Sequence, residues 1–141
     1  MSLPPGDSPG LLLWRATLRW QRLITAALKP LDLTHVQFVL LASAWWLTHV
    51  AGETPSQRRL AEHAGTDPMM TSQVLRALEA KGLIARSAHP NDSRARRISV
   101  TRAGGTLAKR AVAVVEAADA QFFAAAGDQA ALLTVLRRLV P

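Results

Sequence analysis

Arginine carries the chemistry of this chain. Fourteen of its seventeen basic residues are Arg. Eleven Lys/Arg lie between Arg58 and Arg110 against four acids, so this stretch accounts for the whole net charge of +7; the six bases and six acids elsewhere cancel. A guanidinium is always charged and presents a rigid fork of donors that suits phosphates and base edges. Positive charge segregated in this way marks a face that meets a polyanion. An arginine-rich surface that is merely solvated is the alternative.

Other chemistries lack a converging set of groups. His49 and Glu53 are four apart, but Gly52 ends the helix between them. His63 and Glu62 are adjacent and so do not share a helix face. His35 lies near Asp32 at a helix start, and His89 falls in a basic hairpin. Scattered histidines without cysteine give no metal spacing, and no serine carries the neighbours of a nucleophile. The expectation is a protein that is not an enzyme and needs no cofactor or metal. Absence of Cys excludes a disulfide framework or thiol switch within the chain and fits a reducing cytoplasm.

The elements that position these arginines follow from periodicity and punctuation. Residues 1–10 hold three prolines and an acid, with no basic n-region, and read as a flexible tail. The apolar run Val36–Val50 is interrupted by polar residues and shorter than the ~20 residues of a membrane span, so no membrane partner is expected. Leu13, Trp20, Ile24, Ala27 and Leu31 recur at helical steps in a first helix from Leu11 to about Leu28, ended by Pro30. Thr34 caps a second helix to about Val50. Thr54-Pro55-Ser56 opens a third, with Pro55 in its first turn, running through Ala64. Asp67-Pro68 opens a fourth to Lys81, with Met70, Val74, Leu75 and Leu78 facing inward. Gly82 stops it.

Leu83–Ser87 and Arg97–Thr101 then read as strands of a hairpin around the turn Pro90-Asn91-Asp92-Ser93. Ile98 and Val100 share one face of the return strand, Arg97 and Ser99 the other. Thr101 caps a fifth helix, about 102–126, lined by Leu107, Ala111, Val115, Ala118 and Phe122. A last helix covers about 129–140. Its apolar residues wrap most of its circumference, which calls for a partner subunit; docking onto the first and fifth helices of the same chain is the alternative.

A helix, a glycine turn, a second helix and at once a basic hairpin make a winged helix-turn-helix: mainly α, with an α+β wing. The chain resembles the MarR family of bacterial transcriptional regulators. The likeness rests on Leu33-Thr34-x-x-Gln37-Phe38 and the following Leu40-Leu41, on Leu60-Ala61, on Thr71-x-x-Val74-x-x-Leu78-Glu79-x-x-Gly82-Leu83-Ile84-x-Arg86, and on Asn91-Asp92-x-Arg94-Ala95 with Ile98-x-Val100-Thr101-x-x-Gly104. It spans about 11–140. It implies a single domain over 11–141, with a winged unit at 34–101 and dimerisation helices at 11–31 and 102–141. A homodimer of this kind binds a palindromic operator in double-stranded DNA, as a ligand-responsive repressor.

In such a protein the first half of the fourth helix enters the major groove. Its candidate readers are Pro68, Met69, Ser72, Gln73 and Arg76. Gln pairs with adenine, and Arg with guanine or phosphate. Met69 reads equally well as a core residue. Ser56, Gln57 and Thr71, at helix starts, suit phosphates. Arg94 at the wing tip suits the minor groove. The family pattern pairs Asp92 with Arg94, although Asp92 also reads as a plain turn residue. Arg96 and Arg97 are phosphate candidates. In similar proteins small aromatic or phenolic ligands bind between the first two helices and the winged domain, so Trp14, Trp20, His35 and Trp45 are candidate pocket residues; core and dimer packing is the alternative. A winged helix that binds protein without reading DNA stays open as a second function.

Overall fold

The computed structural model describes residues 2–89 and 92–140, with side chains described outside His89 and residues 92–95. The elements are α1 (Pro9–Leu28), α2 (His35–His49), α3 (Gln57–Ala64), α4 (Pro68–Ala80), β1 (Ile84–His89), β2 (Asp92–Val100), α5 (Arg102–Phe123) and α6 (Gln129–Leu139).

Local chemistry sets most boundaries. Ser8, Thr34, Ser56, Asp67, Thr101 and Asp128 each accept a backbone N–H with the side chain and open the six helices. At α2 the cap is reciprocal, because Gln37 Oε1 accepts from Thr34 N while Thr34 Oγ1 accepts from Gln37 N. The end of α4 is a Schellman turn: Leu83 N donates to Leu78 O and Gly82 N to Glu79 O. Gly82 takes φ +73°, which suits a residue without Cβ.

Three boundaries differ from the expectation. α1 begins at Pro9, capped by Ser8, and a 3-10 turn at Pro5–Asp7 precedes it within the segment read as a tail. Pro55 lies outside α3. Its side chain is buried and its carbonyl accepts from Ile98 N at 2.9 Å, while Ser56 bridges Arg97 beside β2. A cap needs a side-chain acceptor, which Ser56 has and Pro55 lacks. The hairpin is longer than expected, with Asp92 and Ser93 in β2 rather than in the turn.

The core is centred on α2. Leu40, Leu41, Ala44 and Leu47 have no exposed surface, and Ile24 and Leu28 of α1, Leu60 of α3, Leu75 and Leu78 of α4 and Ile98 of β2 complete it. Each of these Leu and Ile side chains contributes about 2 kcal/mol on leaving water. Met70, expected inward, is 43% exposed, whereas Thr71 is fully buried. α5 lays Gly104, Ala108, Ala111, Val115 and Ala118 on the core. α6 buries no residue; Leu133, Val135, Leu136, Leu139 and Val140 face solvent together with Leu12, Leu13 and Trp14 of α1. The apolar circumference of α6 is thus not covered by α1 or α5 of its own chain. No helix among the described residues is long and apolar enough to cross a membrane.

Candidate nucleic-acid interface

α4 presents a ridge of free side chains at its N-terminal half. Pro68, Met69, Gln73 and Arg76 are exposed, Met69 to 72%, and Ser72 is half-buried. Met69, Gln73 and Arg76 follow helical spacing and share one face. Met69 is therefore not a core residue. Asp67 caps the helix by accepting from Met70 N at 2.8 Å.

Thr71 does not belong to this ridge. Its hydroxyl donates back to Asp67 O at 2.8 Å and lies 2.6 Å from the Thr66 hydroxyl. A fully buried hydroxyl engaged in this way reaches no phosphate, which corrects the role expected for it. Its position, four before Leu75 and seven before Leu78, puts it on the inner stripe, and bonding to the i−4 carbonyl lets a Thr sit there.

At the start of α3, Ser56 Oγ accepts from Arg59 N at 3.1 Å, which leaves its hydroxyl hydrogen to donate outward. Gln57 is half-buried, and its Oε1 accepts from Arg86 Nη1 at 3.2 Å. Arg96 and Arg97 are exposed on β2. The expected pair Asp92–Arg94 lies outside the described side chains.

Several cations counted toward the basic face have protein partners instead. Arg59 forks onto Glu53 at 2.9 and 3.1 Å, and this hydrogen-bonded partner holds the Glu53 carboxyl below its ordinary range. Arg58 lies 3.3 Å from Glu62 one turn on. Lys81 Nζ donates to the carbonyl of Asp32 and to Gln37 Oε1 at 3.1 Å, joining the end of α4 to the α1–α2 corner. Arg86 is largely buried. Its inward side follows from period two, because it shares a strand face with Ile84 and pairs with Ile98. The alternation Ile84-x-Arg86 in the sequence carries that signal.

The four candidate pocket residues divide. Trp20 and His35 meet edge to face at 4.9 Å, and Trp20 Nε1 donates to Asp119 Oδ1 at 2.8 Å, tying α1, α2 and α5 together. Burial holds the His35 pKa below its ordinary value, with the Asp119 charge opposing the shift. Trp45 has other neighbours, His49 at 5.4 Å and Lys109 Nζ at 5.9 Å above its ring. Trp14 is 62% exposed. An open groove of about 600 Å³ is lined by Arg102, Ala103, Thr106, Leu107 and Arg110, and by none of the four. Among the described residues no group of three or more His, Asp or Glu is placed to hold a metal ion.

Known proteins are similar to this chain in sequence and fold. The model of the MarR family matches residues 33–95. Over 137 residues the chain is 47% identical to the uncharacterized HTH-type transcriptional regulator YdcH of Bacillus subtilis, covering 96% of this chain and 92% of that one. Over 121 residues it is 40% identical to the HTH-type transcriptional repressor Rv2887 of Mycobacterium tuberculosis, covering 84% and 82%. The crystal structure of Rv2887 in complex with DNA matches with a TM-score of 0.72 at 36% identity, over 96% of this chain and all of that one. Rv2887 in complex with salicylic acid matches with a TM-score of 0.65 at 37% identity, over 95% of each chain.

Proposed function

Because the chain belongs to the MarR family of transcriptional regulators, we propose that it is a homodimeric repressor that reads a palindromic operator in double-stranded DNA. The observation that carries this reading is the exposed ridge of Met69, Gln73 and Arg76 on α4 beside a hairpin bearing exposed Arg96 and Arg97. Exposed side chains along one face of a helix reach base edges in the major groove, and an arginine-rich wing fits the backbone or minor groove next to it.

Roles follow from donor and acceptor chemistry. Gln73 reads adenine and Arg76 reads guanine or a phosphate. Pro68 and Met69 supply apolar contact, suited to a thymine methyl. Ser72 is a shorter polar contact beside them. The hydroxyl of Ser56 and the amide of Gln57 meet phosphates at the start of α3, as do Arg96 and Arg97 on the wing. The family pattern assigns Asp92 to orient the Arg94 guanidinium for the minor groove; both side chains lie outside those described.

A second copy of the chain covers α6 and the start of α1, since an apolar face of this extent has no cover within one subunit. Residues 34–101 then form the winged unit, and 11–31 with 102–141 the dimerisation helices. The effector is a small aromatic or phenolic ligand; the salicylic acid complex of Rv2887 supports that class. This is a regulator working in the cytoplasm, with no catalytic step.

Selection of bound sequences from random DNA with the purified protein tests the reading. A palindrome whose half-sites lie one helical turn apart, about 10 bp, is expected. Arg94→Ala costs on the order of 1–3 kcal/mol at that operator. Recovery of no common sequence, together with flat salt dependence, favours a winged helix that binds protein.

A further inference from the structure

We propose that Arg86 is a positioning residue for DNA reading: it sets α4 and aims the amide of Gln57, so that operator selectivity depends on a guanidinium that touches no DNA. The inference rests on the function proposed above.

Three elements converge on this side chain. It projects from β1, only 16% exposed, on the face it shares with buried Ile84. Nη1 donates to Gln57 Oε1 at 3.2 Å, and Gln57 is the first residue of α3. Nη2 donates to the backbone carbonyl of Ser72 at 3.3 Å, inside the reading half of α4. Nε is buried without a hydrogen-bond partner, 3.9 Å from Glu79 Oε1. One side chain of the wing thus holds both helices of the helix-turn-helix.

The chemistry fixes the consequence at Gln57. A guanidinium only donates, so Gln57 must offer it the amide oxygen. The NH2 group is then turned away from Arg86, where it is free to donate to a phosphate oxygen. Without the guanidinium either end of the amide can face outward. At Ser72 the bond adds to the helix's own hydrogen bonding and pins the helix from beneath its reading face. A buried cation with one donor unpaired is a poor device for stability, since an apolar side chain of similar length would pack there at less cost. Its geometry suits placement.

The test compares full-length Arg86→Met and Arg86→Lys with Arg94→Ala, each checked for folding by thermal melting. Three quantities are read: affinity for the selected operator over random-sequence DNA, the slope of log K against log salt, and the side-chain amide NMR signals of Gln57 without DNA. In Arg86→Met the operator preference falls by about tenfold or more, the scale of a charged hydrogen bond. Its salt slope stays within less than the roughly one unit that a lost phosphate contact removes. The Gln57 amide signals shift in Arg86→Met and stay in place in Arg94→Ala. Arg86→Lys, which keeps a cation and N–H donors but not the planar fork that spans both partners, recovers part of the preference and serves if the Met variant does not fold. The proposal is overturned if operator and random DNA weaken equally with a shallower slope, because Arg86 then contacts phosphate itself. It is also overturned if the preference or the Gln57 signals do not change. A wild-type protein without sequence preference overturns the function above, and the Gln57 signals then decide the Arg86 link alone.

Discussion

Gly104 of α5 lies against the backbone carbonyl of Leu83: a methyl group at its Cα would stand 1.9 Å from that oxygen. The junction is dense with hydrogen bonds. Thr101 Oγ1 donates to Gly82 O at 2.7 Å and accepts from Gly104 N at 3.0 Å, while Thr101 N donates to Leu83 O at 3.1 Å. The end of α4, the root of the wing and the start of α5 are therefore one unit.

Gly104→Ala is expected to destabilise the fold by roughly 3 kcal/mol, the upper end of overpacking costs, because backbone rather than a flexible side chain is in the way. Its neighbour is the control. A methyl at Gly105 would meet the Trp45 ring at ordinary contact distance, Cδ1 at 3.8 Å and Nε1 at 3.9 Å, so Gly105→Ala gains about 0.5–1 kcal/mol from the helix. Denaturant unfolding of the two variants checks both signs; equal effects contradict the packing described.

Thr71→Val separates stability from DNA contact. Removing the buried hydroxyl leaves the Thr66 hydroxyl without its partner and costs about 1–2 kcal/mol. The slope of log K against log salt for DNA binding stays at the wild-type value, since no phosphate contact is lost. A slope shallower by about one unit would return Thr71 to the phosphate set.

Stability depends on pH through His35. Burial favours its neutral form, so its folded pKa lies below the unfolded value of about 6.5. Above that value both states are neutral and the stability is fully present. As pH falls through about 6.5 the unfolded state takes up the proton first, and stability is lost until the folded pKa is passed. Urea midpoints of wild type and His35→Asn, measured at pH 7.5 and 5.5, are expected to show a larger acid loss in the wild type. An equal loss assigns the acid sensitivity to other groups.

The apolar face of α6 predicts its own mutants. Leu139 is 65% exposed and Leu136 37% exposed in the single chain. Leu136→Glu with Leu139→Glu places two charges in the proposed dimer interface and should yield monomers by sedimentation, with the fold of the winged unit retained by circular dichroism. Operator affinity then drops by orders of magnitude, because the two half-sites are no longer bound together. A doubly substituted chain that stays dimeric places the interface elsewhere.

Much of the fold was legible because it is local. Thr34 and Gln37, Asp67 before Pro68, and Thr101 three residues before Gly104 cap helices within a single turn, where spacing alone brings donor to acceptor. The exposed ridge of α4 followed from helical periodicity. Residue type misled at Met70, an apolar side chain that is exposed, and at two further places. Thr71 looked available because it is polar, yet back-bonding satisfies it on an inner stripe. Pro55 looked like a first-turn residue, yet its carbonyl serves Ile98 N forty-three positions later.

The sequence by itself determined the order of the helices, the caps at Thr34, Asp67 and Thr101, the placement of the hairpin and the concentration of charge between Arg58 and Arg110, since each depends on residues a few positions apart. Only the tertiary structure decided which of those cations are free. Arg86 holds Gln57 and Ser72, Lys81 holds Asp32, Arg59 holds Glu53, and Trp20 binds Asp119 ninety-nine residues away. Most of these partners meet through the docking of separate elements, and a side chain's hydrogen bonds depend on what arrives beside it, which one-dimensional spacing does not carry.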